Sequence, residues 1–150
     1  MNLRITISAL ALALALTACG PEQSPEEELQ AVVAAAEEAA EARDAATLLG
    51  FVAADYRDDQ GNGAEEIGRY LRGYLLAHQS VHLVTRVEDV ELPATGLARM
   101  RATVGMLGRE VAGDSAWDLA AEVYEFDVTL AREGGEWRVI RAAWRPVVGR

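Results

Sequence analysis

The spacing of the apolar residues changes near residue 78, and this change restricts the chain to a fold in which helices precede strands. Before it, apolar residues recur every three or four positions, as on one face of a helix. The clearest stripe comprises Ile67, Tyr70, Leu71, Tyr74, Leu75 and His78. After it they alternate with other residues, as in a strand with one buried face. The first of these are Val81, Leu83, Thr85 and Val87. The sequence therefore predicts an α+β domain.

The first of three predicted helices has a well-marked start. Ser24 can cap it, Pro25 suits its first position, and Glu27 stands where a capping box places its glutamate. Leu29 begins the apolar positions that follow at helical spacing. We expect this helix to end near Arg43.

The second and third helices are separated by a polar segment. Asp44 can cap a short second helix whose apolar residues are Leu48, Leu49, Phe51 and Val52. The stretch "DYRDDQGNG" at 55–63 then breaks the pattern with two glycines and an asparagine. The third helix is predicted over about 64–79.

The second half of the chain predicts a meander of four long antiparallel strands. The first starts at residue 81 and closes at the turn "LPATG" (92–96), and the second is centred on 98–106. The third covers roughly 119–132 and the last 137–147, joined by an "EGGE" hairpin turn. Residues 108–117 are expected to form a loop that arches over one end. The predicted architecture is a curved antiparallel sheet with the N-terminal helices packed on it.

This order of elements resembles the nuclear transport factor 2-like superfamily, the cystatin-related cone fold. Four phrases carry the resemblance: "ARD" (42–44), "LLGFVAADY" (48–56, as a helix), "EIGRYLRGYL" (66–75) and "EWRVIRAAWRP" (136–146). It implies one domain over residues 25–150, with a pocket between the concave face of the sheet and the helices, and a convex face often used for dimerisation. The superfamily includes ketosteroid isomerase, scytalone dehydratase and many non-catalytic binding domains, so the fold alone implies no reaction.

The N-terminus predicts export and lipidation. Residues 1–18 combine one early arginine with an alternating Ala/Leu core, which is typical of a signal peptide and too short to span a bilayer. "LTAC" (16–19) resembles the lipobox of bacterial lipoproteins, which implies lipidation of Cys19 and cleavage before it. Residues 19–24 would then form a short tether to the membrane. The alternative is an ordinary secreted protein cut near Ala18. A lone cysteine has no partner for an intramolecular disulfide in an oxidising compartment, and this favours a specific use of its thiol, as in lipidation.

The residue after Cys19 is Gly20 rather than aspartate. In lipoproteins of the common Gram-negative type, aspartate at this position often marks retention in the inner membrane. The resemblance therefore implies a cell-envelope protein anchored in the outer membrane and facing the periplasm.

Charge argues against nucleic acid as a partner. The chain has 14 basic residues, all of them arginine, against 24 acidic ones, a net charge of -10. A nucleic-acid-binding protein needs a basic surface to replace the counterions around phosphate. The excess of negative charge lies in residues 19–66, with 13 acidic residues and two arginines.

No catalytic motif is present, so a binding or scaffolding role is the first expectation. The occupant would be a small apolar ligand in the cone, with an envelope protein on the sheet or a second copy of the chain as further partners. The candidate pocket residues are Tyr70, Tyr74, His78 and Asp127. Asp127 alternates with Phe126, so it reaches the pocket only if the aromatic face of its strand is the convex one. The alternative is a small enzyme of the isomerase or dehydratase type, in which tyrosines and a carboxylate act on the substrate.

No metal or other cofactor is expected. His78 and His82 are the only histidines, and no third imidazole or second cysteine completes a zinc site. Residues 58–69 resemble a calcium loop in part, but Arg69 stands where a bidentate glutamate is needed.

Arginines on the strands offer two interpretations. Arg99, Arg101, Arg138, Arg141 and Arg145 alternate with apolar residues. They either form exposed cross-strand ion pairs with Glu122, Glu125 and Asp127 or, together with the three tryptophans, anchor a protein partner. Ion pairs are the favoured interpretation.

Overall fold

A computed structural model describes residues 23–109, 113, 116, 117, 120 and 122–147. Three helices precede most of the strands. The helices are α1 (Pro25–Glu41), α2 (Ala45–Gly50) and α3 (Ala64–Ala77). The strands are β1 (Val52–Asp58), β2 (His82–Ala94), β3 (Leu97–Leu107), β4 (Glu122–Glu133) and β5 (Glu136–Pro146). The predicted α+β class is confirmed.

The start of α1 follows the prediction from its sequence. The backbone N–H of Glu27 donates to Ser24 Oγ at 3.2 Å, and the N–H of Ser24 donates to Glu27 Oε2 at 2.8 Å. This reciprocal capping box supplies partners for two N–H groups at the start of the helix. Pro25 occupies the first helical position, where its missing N–H loses nothing.

A sharp turn links α1 to α2. Arg43 adopts a left-handed backbone conformation with φ of 58°, and its guanidinium donates to the carbonyl of Leu75 near the end of α3, from Nη2 at 2.7 Å and from Nε at 3.2 Å. Asp44 then caps α2 by accepting from the N–H groups of Ala46 and Thr47. The predicted cap of the second helix is confirmed.

The five strands form one open, mixed sheet in the order β1-β5-β4-β3-β2. Neighbours from β2 to β5 are antiparallel, whereas β1 lies parallel to β5 at the edge. The β4–β5 hairpin turns at Gly134 and Gly135, both with positive φ, as a two-residue hairpin turn of this kind requires. The antiparallel meander of β2 to β5 was predicted, but the additional strand β1, which lies parallel to β5, was not.

The prediction of a helix through "LLGFVAADY" is wrong in its second half, where β1 lies. The buried side chains Ala53 and Tyr56 are three residues apart, a spacing that favours a helix over a strand. The strand forms nevertheless because β5 offers its backbone: Val139 N–H donates to Phe51 O at 2.7 Å, and Asp59 N–H to Ala142 O at 3.1 Å. An irregular register between these two contacts removes the alternation that would identify a strand.

The helices divide the inner face of the sheet into two parts. Under α1, the core is close-packed around Leu29, Ala98, Leu130 and Trp137, each at most 6% exposed. Val128 and Val139 are partly buried and pack against this core. Under α3, the same face lines a cavity instead of a filled core.

Several predictions fall on residues outside the described part of the chain. They are the signal peptide 1–18, Cys19 with the first part of its tether (19–22), and half of the predicted loop 108–117. Among the described residues, no helix is long and apolar enough to cross a membrane.

Candidate ligand cavity

The cavity lies between α3 and β1 on one side and the sheet on the other, with a volume of about 270 Å³. Helix α3 contributes Ile67, Tyr70, Leu71 and Tyr74, and β1 contributes Val52 and Tyr56. The sheet contributes Met106, Glu122, Tyr124, Phe126, Val128, Val139, Ala142 and Trp144. The lining is apolar apart from the tyrosine hydroxyls and one carboxylate.

Aromatic rings form much of this lining. Tyr70 and Tyr74 lie one turn apart on α3, with ring centroids 6.4 Å from each other. On the sheet, Phe126 stacks on Trp144 at 6.2 Å across the β4–β5 pair. Tyr70 is 60% exposed and forms the rim, whereas Tyr56 is 3% exposed and forms the floor. The cavity is therefore open on the side of Tyr70.

Glu122 is the carboxylate of the lining, and it acts on two tyrosines. The pKa of Tyr74 is raised by burial first and then by the negative charge of Glu122. The pKa of Tyr124 is raised in the same order, and a hydrogen bond with Glu122 adds to the effect. Burial, with the charges of Asp58 and Asp59, raises the pKa of Tyr56 to about 12. All three phenols are neutral near pH 7.

Solved structures share this arrangement. A cystatin-like protein of unknown function from Nostoc punctiforme aligns at a TM-score of 0.62 and 16% identity, over 85% of this chain and 96% of that one. A nuclear transport factor 2-like protein of unknown function from Shewanella baltica gives 0.58 and 9%, over 85% and 100%. The fold is that of the nuclear transport factor 2-like proteins.

The likeness concerns the fold and not the activity. A protein from Novosphingobium aromaticivorans assigned as a scytalone dehydratase aligns at a TM-score of 0.67 and 11% identity, over 82% of this chain and 84% of that one. At 11% identity this match shows a shared architecture and carries no activity over to this chain. No protein-family model matches the sequence, and no curated protein sequence matches it.

The cavity brings together two of the four predicted pocket residues. Tyr70 and Tyr74 line it, and the Tyr74 hydroxyl donates to Met106 Sδ at 3.3 Å. His78 lies beside it: its ring stacks on Tyr74 with centroids 4.1 Å apart, and its Nδ1 is 2.8 Å from Tyr74 O at the end of α3. His78 thus supports Tyr74 without lining the cavity itself.

Asp127 lies on the opposite face of the sheet, so the structure does not bring it into the pocket. Its carboxylate is 3.4 Å from Arg101 and 3.8 Å from Arg145. The alternation of β4 points Phe126 and Val128 inward and Asp127 outward. The aromatic face lines the cavity, so the condition under which Asp127 would reach it is not met.

Sequence reasoning missed the carboxylate that does line the cavity. Alternate residues of a strand lie on the same face of the sheet. Glu122 comes two residues before Tyr124 on β4, so the pattern that places Tyr124 and Phe126 on the inner face places Glu122 there too. Its placement among charged residues led instead to its interpretation as an ion-pair partner of the arginines. Tyr56 was missed because β1 was not recognised as a strand.

His78 and the acidic loop use their polar atoms within the protein, whereas His82 Nδ1 is buried without a hydrogen-bond partner among the described residues. His78 caps α3, whereas His82 Nδ1 lies 3.5 Å from Glu41 Oε1 at the end of α1. In the loop, Asp58 accepts three hydrogen bonds from Gln60 and Asn62. No group of three or more metal-ligating side chains occurs in the described part of the chain.

The outer face of the sheet is polar and carries several ion pairs. Arg101 pairs with Asp127, and Arg145 pairs with both Asp127 and Glu125. Two of the three tryptophans predicted to anchor a partner lie elsewhere: Trp144 lines the cavity and Trp137 is 6% exposed in the core. Trp117 alone lies against this face, with its ring 4.7 Å from the guanidinium of Arg86. The geometry therefore favours exposed ion pairs over a set of aromatic anchors on this face.

Proposed function

We propose that the chain is a cell-envelope lipoprotein whose nuclear transport factor 2-like domain binds a small, largely apolar ligand in the cavity under α3. The observation that carries the binding role is the cavity itself. Apolar and aromatic side chains line about 270 Å³ in a part of the sheet that α1 leaves uncovered. Cavities of this kind bury most of a ligand's surface and use a few polar groups to orient it.

Binding is tested with a fluorescent apolar probe. N-phenyl-1-naphthylamine fluoresces strongly in apolar surroundings, so titration of the full chain carrying Cys19→Ser, without detergent, measures entry into the cavity. We expect saturable binding to one site per chain, and native mass spectrometry of protein from its own host should reveal a co-purified small molecule. A linear, unsaturable response would contradict the proposal.

An enzymatic role has one observation in its favour. Glu122 lies beside Tyr74 and Tyr124, so a general base and two neutral phenol donors meet at the mouth of an apolar cavity. This is the combination that proton abstraction next to a carbonyl requires. The reaction would transfer a proton from a carbon atom of the substrate to the carboxylate while a phenol donates to the developing oxyanion.

Deuterium exchange separates the enzyme from the binder. The co-purified molecule would be incubated with the protein in D₂O and weighed by mass spectrometry. An enzyme incorporates deuterium, and Glu122→Gln abolishes the incorporation even at a ligand concentration that saturates the variant. A binding protein returns the molecule with its carbon-bound hydrogens unchanged.

The membrane anchor rests on the sequence around Cys19. The lipobox resemblance supports an acylated thiol there, and residues 19–24 are then a short tether. We expect labelled palmitate on the wild-type protein and none on Cys19→Ser, together with release of the variant from the membrane fraction. Equal membrane association of both proteins would contradict the anchor.

A protein partner or a second copy on the outer face has weaker support. Arg101 and Arg145 are paired with carboxylates of the same chain, and such exposed pairs contribute little free energy on their own. Light scattering of the Cys19→Ser chain over a range of concentrations tests self-association, and a monomer throughout would remove that option.

A further inference from the structure

We propose that the ligand of this cavity is an apolar organic cation, a hydrophobic amine or quaternary ammonium. The inference rests on the proposed binding function and narrows it to one chemical class. It depends on three properties of the lining: the sign of its charge, the number of its aromatic rings, and the protonation state of its tyrosine hydroxyls.

The charge of the lining is negative. Glu122 is the one carboxylate of the described lining, and no arginine or histidine belongs to it. No ion pair neutralises Glu122 within the described part of the chain, in contrast to Glu125, which pairs with Arg145. A cation entering the cavity therefore meets a carboxylate that accepts from Tyr124 but has no ion-pair partner among the described residues, and an anion meets repulsion.

Aromatic faces reinforce this preference. Six of the nine aromatic residues of the chain line the cavity: Tyr56, Tyr70, Tyr74, Tyr124, Phe126 and Trp144. The face of an aromatic ring attracts a cation, and recognition of quaternary ammonium groups commonly uses several such faces. The charge of Glu122 raises the pKa of Tyr74 and of Tyr124, so these two rings lie near the carboxylate, at the same end of the cavity.

The phenols remain donors and do not add negative charge. Burial and Glu122 raise the pKa of both Tyr74 and Tyr124, so the rings stay neutral across the physiological range. The cavity thus combines one fixed charge with polarisable walls. It fits an ammonium group near Glu122 and an apolar body against Val128, Val139 and Ala142.

A second, polar hollow adjoins the cavity at Tyr70 and Trp144, lined also by Gln60, Asn62 and Glu66. Its carboxylate is already compensated, because Glu66 Oε1 lies 3.1 Å from Arg69 Nη2. This leaves Glu122 as the group that selects for charge. The amides of the hollow suit an uncharged polar substituent on the ligand.

A trimethylammonium group occurs both in free amines and in choline lipid headgroups. The headgroup carries a phosphate next to its cation, and no basic side chain of the described lining would meet it. The chain's net charge of -10 also repels phosphate. The free hydrophobic amine is therefore the expected source.

The test is displacement of N-phenyl-1-naphthylamine from the full chain carrying Cys19→Ser. The competitors are benzyltrimethylammonium, its uncharged carbon isostere neopentylbenzene, and glycerophosphocholine. We expect the cation to displace the probe about five to ten times more effectively than the isostere, from the combined carboxylate and ring attraction. Glycerophosphocholine should displace little.

Glu122→Gln keeps the shape of the lining and removes its charge. We expect this variant to bind the cation about fivefold more weakly and the isostere as before. Glu125→Gln is the matched control, because it removes the same charge three residues along β4 on the outer face. It should change neither.

The outcomes separate the two proposals. Displacement by the isostere equal to or better than that by the cation, or a cation affinity indifferent to Glu122→Gln, overturns the cation inference and leaves the binding function standing. Displacement by glycerophosphocholine as effective as that by benzyltrimethylammonium also overturns it. If the probe itself does not bind, the binding function fails with it.

Discussion

At the scale of single residues, Asp58 shows how one polar side chain holds the loop between β1 and α3, two elements that line the cavity. It ends β1 at 6% exposure and accepts from Asn62 N–H at 2.7 Å, from Asn62 Nδ2 at 2.8 Å and from Gln60 N–H at 3.0 Å. Burial acts to raise the pKa of this carboxyl, but the hydrogen bonds, those from Asn62 foremost, lower it overall. Hydrogen bonds from Gln60 and Asn62 to the Asp58 carboxylate thus hold the loop that leads into α3.

This predicts a defined pH dependence of stability. Because the folded pKa of Asp58 lies below its ordinary value of 3.8, its contribution is complete above that pH and is lost as the pH falls below it. Asp58→Asn should lower the free energy of unfolding by about 2 kcal/mol near pH 6, and by less at pH 3. Urea unfolding at both values measures the difference.

The neighbouring aspartate supplies the control. Asp59 is exposed, and its carboxylate, whose charge also raises the pKa of Tyr56, takes part in none of the described side-chain hydrogen bonds. Asp59→Asn should leave stability nearly unchanged at both pH values. An equal loss in the two variants, or a loss for Asp58→Asn that grows toward pH 3, would show that the hydrogen-bonded carboxylate is not the cause.

At the scale of elements, the change of hydrophobic period was enough to predict three helices and four strands. The capping residues Ser24 and Asp44 located two helix starts, and the paired glycines located the β4–β5 turn. The edge strand β1 was lost because its pairing depends on the backbone of β5, which no local pattern of side chains reports. Alanine-rich local sequence favoured a helix there.

Helix α3 allows a matched test of its packing. Gly73 is exposed in the helix interior, and a Cβ built on it meets nothing within 4 Å. Gly73→Ala should raise the free energy of unfolding by about 0.5 to 1 kcal/mol, since alanine restricts the unfolded chain and favours the helix.

The same change five residues earlier should gain less. A Cβ on Gly68 would lie 3.3 Å from Leu49 Cδ2, so the side chain that joins α2 to α3 has to shift. Thermal unfolding of Gly68→Ala and Gly73→Ala side by side measures the contrast. A larger gain at Gly68 would contradict the close packing of α2 on α3.

At the scale of the whole molecule, the family resemblance implied a cavity between the sheet and the helices, and the residue pattern predicted only part of its lining. Tyr70 and Tyr74 were predicted because they share the helical stripe that packs toward the sheet. Asp127 was placed there in error and Glu122 was overlooked, because alternation assigns residues to two faces without saying which face is concave. The curvature and the position of α3 decide that, and both depend on contacts distant in the sequence.

The most direct test of the cavity as a binding site is to fill it. Ala142 lines the cavity, whereas its neighbour Ala143 lies opposite Asp127 on the outer face of the sheet. Ala142→Leu should weaken N-phenyl-1-naphthylamine binding about tenfold or more, because the added side chain occupies the ligand's volume. Ala143→Leu should bind as the unsubstituted chain does. Undiminished binding by a folded Ala142→Leu protein, or an equal loss in both variants, would contradict the account.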